Sequence, residues 1–225
     1  MPVSRRNLLT AGLVLSSVTG SFSQIAQAAE KKLPALKFFM QAPGHPASAV
    51  PYGNNTAHGK YADAGDVKLY YETYGSGEPF LVLHGGGAGC AYEMGCFIDR
   101  LQEKYRVIIP STRGHGRSGF GTEPLSYAQK AQDIMAVLKA EKIKKVRILG
   151  FSDGAYTAYK IAELFPDVVT HIIAIGAGEN IPGLRQVVTS LEAFKQFDAD
   201  FVAQQQALSP EPERWAPWLV KYGEL

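Results

Sequence analysis

Short apolar runs alternate along this chain with stretches of helical period, and that alternation restricts the fold more than any other feature. Residues 80–83, 107–109, 146–149 and 172–175 are continuous apolar runs, the pattern of strands covered on both faces. Residues 67–74 alternate like a half-exposed strand and end at the turn Gly75-Ser76-Gly77. Between the runs, Tyr127, Ala131, Ile134 and Leu138 recur at i, i+4, i+7 and i+11, and Ala155, Ala158, Ala162 and Phe165 form a second stripe. Strand, helix, strand, helix in that order predicts an α/β domain: a mostly parallel sheet with right-handed crossovers and helices on both faces. We assign this core to residues 59–178. Residues 184–201 and 214–222 read as helices with no further strand, so 179–225 is expected to be a partial helical cap.

The chain divides further at its start. Ser4-Arg5-Arg6-Asn7-Leu8-Leu9 is a twin-arginine opening, followed by an apolar stretch and the small-residue triplet Ala26-Gln27-Ala28. Residues 1–28 therefore read as an export signal, which implies a periplasmic or secreted protein. The apolar stretch is broken by Gly12, Ser16 and Ser17 and falls short of the ~20 residues that span a bilayer, so no stable membrane anchor is expected. Residues 29–58, with Pro34, Pro43, Pro46 and Pro51, are expected to form an extended lead-in without regular structure.

Composition excludes some classes. The 225 residues are 46% hydrophobic and 20% charged, enough for one core and unlike a disordered chain. Net charge is +2 and comes from Arg5 and Arg6, so nothing gives the basic footprint of a nucleic-acid binder. Two cysteines, Cys90 and Cys96, are too few for a disulfide framework, and a single bridge between them stays open. No metal-ligand spacing occurs, and no cofactor is implied.

Chemistry concentrates at three turns after strands, where open α/β sheets place ligands. Gly150-Phe151-Ser152-Asp153-Gly154 sits between a strand and a helix; a serine on so sharp a turn needs small neighbours, and the helix adds its positive end. His84-Gly85-Gly86-Gly87-Ala88-Gly89 follows the 80–83 strand, and consecutive glycines let backbone N–H groups approach a substrate oxygen. A dinucleotide loop is excluded there, because the third glycine of the pattern is replaced by Cys90. The third turn runs from Ser111 to Ser118 as Ser-Thr-Arg-Gly-His-Gly-Arg-Ser.

Together these turns resemble the α/β-hydrolase superfamily, within it the biphenyl-hydrolase-like and proline-iminopeptidase-like serine hydrolases, over residues 59–190. The resemblance implies an acyl-enzyme on Ser152 as nucleophile, with the backbone N–H groups of Gly86 and Asp153 as the oxyanion hole and a small ester-like molecule as substrate. It implies that His115 is structural; His84 we read as a structural loop histidine and the Asp153 side chain as incidental. Ser111 departs from the aspartate usual in the family.

A serine hydroxyl needs a base, and in this family the order is nucleophile, acid, histidine. After Ser152 the only histidine is His171, which the pattern buries in a strand; Glu179 stands where some members carry the acid. The last core strands, the usual acid and the usual histidine are expected to be missing, as in a chain shortened at its C-terminus. The alternative is a non-catalytic relative that binds a small ligand or a partner. In either case the 168–175 run becomes an apolar sheet edge open to self-association.

Overall fold

A computed structural model describes residues 35–178 and 190–225. The expected export signal and Glu179 lie outside the described residues.

Six strands form one sheet: β1 Gly59–Asp63, β2 Lys68–Tyr74, β3 Pro79–Leu83, β4 Arg106–Pro110, β5 Val146–Phe151 and β6 Val169–Ile175. Their spatial order is β1-β2-β4-β3-β5-β6. β1, β2 and β4 pair antiparallel, while β4, β3, β5 and β6 run parallel. The helices are α1 Gly95–Leu101, α2 Tyr127–Ala140, α3 Asp153–Leu164, α4 Leu191–Leu208 and α5 Trp215–Tyr222.

Side-chain alternation along the central strands builds two apolar layers. Leu81, Leu83, Ile108 and Ile148 point to one face, where Ala131, Ile134 and Val137 of α2 and Ala158 and Ile161 of α3 cover them. Phe80, Val82, Val107 and Ile109 point to the other, against Tyr52, Met94 and Ile98. The apolar runs at β3 and β4 are buried on both faces, as their composition predicts. Ser126 caps α2 by accepting from the Gln129 N–H, which sets where that helix begins.

A third layer lies over the loops at the ends of the strands. Phe194, Phe201, Trp215, Trp218, Leu219 and Tyr222 of α4 and α5 pack with Cys90, Tyr92 and Phe120. α4 is kinked at Asp198 (φ −159°, ψ 81°), whose carboxylate takes the Lys37 ammonium at 2.7 Å, the Met40 N–H at 2.8 Å and the Phe201 N–H at 3.1 Å.

Three expectations need correction. Residues 35–58 hold no helix or strand, yet they are not extended: turns close at Phe38–Gln41, Ala42–His45, Pro51–Asn54 and Asn55–His58. β6 is not covered on both faces, since it pairs only with β5 among the described residues and Ile173 is 49% exposed. His171, read as buried, is exposed for the same reason. Cys90 is buried and Cys96 exposed, with no bridge between them. No helix among the described residues is long and apolar enough to cross a membrane.

Candidate active site

β5 delivers Ser152 at its C-terminal end, and α3 starts on the next residue. Ser152 has φ +50° and ψ −115°, a backbone conformation that side-chain-bearing residues adopt only where the surroundings enforce it. The enforcement is visible. The Ser152 N–H donates to the Ile175 carbonyl at 2.7 Å, and its carbonyl accepts from Ala155 at 2.9 Å. A Cβ on Gly154 would lie 2.5 Å from the Leu83 carbonyl oxygen, so only glycine lets the turn settle against the end of β3.

That close approach brings the glycine loop 84–89 to the turn. A Cβ added at Gly86 would lie 2.8 Å from the Asp153 Cβ, so the two residues expected to donate backbone N–H groups are neighbours. Asp153 opens α3, where unpaired N–H groups and the helix dipole favour negative charge.

This geometry, a serine raised on a strand-to-helix turn beside a glycine loop, coincides with the sequence match. The family model for the alpha/beta hydrolase fold matches residues 78–212. The chain belongs to the alpha/beta hydrolase family. Among curated relatives it is 30% identical over 123 residues to a putative carbamate hydrolase, RutD, of Azorhizobium caulinodans, covering 55% of this chain and 46% of that one. It is 31% identical over 134 residues to the human serine hydrolase BPHL, covering 57% and 46%. The chain thus spans about half the length of these relatives. A solved meta-cleavage product hydrolase of Pseudomonas fluorescens, CumD, superposes with a TM-score of 0.57 at 22% identity, over 72% of this chain and 69% of that one, a likeness of fold.

Within this hydrolase fold the loops around Ser152 are pinned by buried polar groups. His84 is fully buried; its Nδ1 lies 2.5 Å from the Gly85 carbonyl, and its Nε2 accepts from the Thr112 N–H at 3.1 Å. Burial pushes its pKa down to about 4, so it is neutral and ties the 84–89 loop to the third turn. His115 is likewise held well below its ordinary value by burial, with Nδ1 2.9 Å from the Thr112 hydroxyl. The buried Arg113 guanidinium reaches Asp133 at 2.7 and 2.8 Å and Asp66 at 3.0 and 3.1 Å, fixing the same loop. The departure at Ser111 leaves that loop closed, because the Ser118 hydroxyl donates to the Ser111 carbonyl at 2.6 Å.

Three residues join the site: Glu93 and Lys130, which the sequence did not single out, and Tyr222 of the expected helical cap. The Glu93 carboxylate accepts from the Gly85 N–H at 2.5 Å, next to Gly86, and burial pushes its pKa up to about 7. Lys130 of α2 places its ammonium 2.7 and 2.9 Å from the two oxygens of Asp153. Burial would raise the Asp153 carboxyl; the Lys130 ammonium outweighs it and holds the group below its usual range. The Tyr222 hydroxyl of α5 donates to the same carboxylate and lies against Gly86. The Asp153 side chain is therefore engaged, not incidental. Lys130 stands at i+3 from Tyr127, a charge on the apolar stripe of α2, and that was its signal in the sequence.

Among the described residues no imidazole hydrogen-bonds Ser152: His84 and His115 serve the loops, His58 stacks on Tyr74, and His45 and His171 are exposed. No group of metal-ligating side chains occurs among the described residues. A cavity of about 550 Å³ opens beside α5, walled by Phe120, Thr122, Arg214, Trp218 and Lys221, with no part of Ser152 on its wall.

Proposed function

We propose that the chain carries the nucleophile half of a serine hydrolase, in which Ser152 attacks a small ester-like substrate and the backbone N–H groups of Gly86 and Asp153 take the oxyanion. The observation that carries this reading is the positive φ of Ser152 at the strand-to-helix turn, strain that a structural serine has no need to hold. The neighbouring loop supports it, because two backbone donors beside a serine are what an acyl transfer requires. The relatives' own names, a putative carbamate hydrolase and a putative esterase/lipase of Haemophilus influenzae among them, agree with acyl chemistry.

Ester, thioester, lactone and amide share the same first step, and the described site does not choose between them. Among the described residues the step without a partner is proton removal from Ser152. The chain is therefore expected to hydrolyse p-nitrophenyl acetate no faster than its Ser152→Ala variant, and to gain a Ser152-dependent rate when imidazole is added as an external base. Equal rates for both proteins at every imidazole concentration would contradict the proposal. That outcome would favour a non-catalytic binding protein, a reading supported by the contact of Tyr222 with Gly86.

A further inference from the structure

The nucleophile turn carries a carboxylate on the very residue whose N–H faces the proposed oxyanion. A bare negative charge there would oppose the charge that forms during acyl transfer. Asp153 is 2% exposed and Lys130 is 1% exposed, and the ammonium bridges both carboxylate oxygens. The rings of Tyr127 and Tyr222 enclose the ammonium, at 5.2 and 4.6 Å. Four titratable groups face Asp153 from three sides: Lys130 from α2, Tyr222 from α5, and His84 and His115 from the loops. Both histidines are held neutral by burial, which leaves Lys130 as the cation among them.

Resting on the reading of Ser152 as nucleophile, we infer that Lys130 is a positioning residue of this site, cancelling the Asp153 carboxylate beside the oxyanion donors and holding it between α2 and α5. Stability alone does not account for the pair, because a buried ion pair contributes little over an apolar pair of the same volume. Its place, one residue from Ser152, does.

The test uses the full chain with Ser152→Cys, since a thiol ionises without a base. Two quantities are read between pH 6 and 9: the pKa of the introduced thiol, from the pH dependence of its alkylation by iodoacetamide, and its acylation rate by p-nitrophenyl acetate. Peptide mapping separates it from Cys90 and Cys96. Adding Lys130→Met is expected to raise the thiol pKa by about one unit and to slow acylation roughly tenfold once Asp153 ionises. Adding Asp153→Asn should move both readings the opposite way, and the double variant should return close to the parent. A merely structural role predicts slower acylation in both single variants with no return in the double, and that pattern overturns the inference. If Lys130→Met does not fold, the sign of Asp153→Asn decides: a faster, more acidic thiol supports the inference, and an unchanged or slower one overturns it. A parent thiol acylated no faster than Cys96 removes the Ser152 reading and this inference with it, whereas a fast parent with unmoved variants overturns the inference alone.

Discussion

Glu72 on β2 is fully buried and gathers four donors: the Gly53 and Asn55 N–H groups at 2.9 and 2.7 Å, and the Tyr70 and Tyr74 hydroxyls, each at 2.7 Å. It fastens the turns of residues 51–58 to the sheet. Glu72→Ala would leave these donors buried without an acceptor, and a loss on the order of 3 kcal/mol is expected in chemical denaturation; a loss under about 1 kcal/mol would contradict this role. Glu93 gives a pH signature. Its folded pKa lies above the ordinary 4.5, at about 7, so the contribution it makes is complete below pH 4.5 and fades as pH rises through 7. The melting temperature should fall across that window in the wild-type chain and much less in Glu93→Gln; parallel curves would count against it. The strand-to-helix turn at Ser152 and Asp153 and the glycine loop around Gly86 were legible because a turn motif is local. The role of Glu72 was not, because the Gly53 and Asn55 amides it fastens lie 19 and 17 residues away; for Lys130 the one signal was a charge on an apolar stripe, and its partner Asp153, 23 residues on, is brought to it only by the fold.

At the level of elements, β6 shows what periodicity leaves out. Its apolar run predicts a strand at the sheet edge, and among the described residues it is one; what the run does not encode is how far its two faces are covered. At the edge of the sheet formed by the described residues, with Ile173 exposed, β6 is a surface that a second copy can pair with. The chain is expected to sediment as concentration-dependent oligomers, and Ile173→Lys to shift it toward monomer. A monomer at all concentrations in the wild-type chain would contradict the expectation. β1 escaped the pattern for the opposite reason: Gly-Lys-Tyr-Ala-Asp is too short and polar to alternate visibly, and its register with β2 holds it. α4 and α5 were legible as helices, yet the contact of Tyr222 with Gly86 was not, because it joins two elements through a gap that only glycine leaves open.

Over the whole molecule, the sheet with its two apolar layers holds the 84–89 loop and the β5–α3 turn together, and the third layer covers them. The order of strand and helix patterns was enough to read this architecture, since parallel pairing with crossovers follows from alternation alone. The account depends on one atom, the Ser152 hydroxyl, being a nucleophile set before two backbone donors. Treating the intact chain with a fluorophosphonate probe in the presence of imidazole, then mapping the adduct by peptide mass, tests this most directly. The account predicts a single phosphonylated residue, Ser152, with labelling abolished in Ser152→Ala; an adduct elsewhere, or equal labelling of the variant, would contradict it.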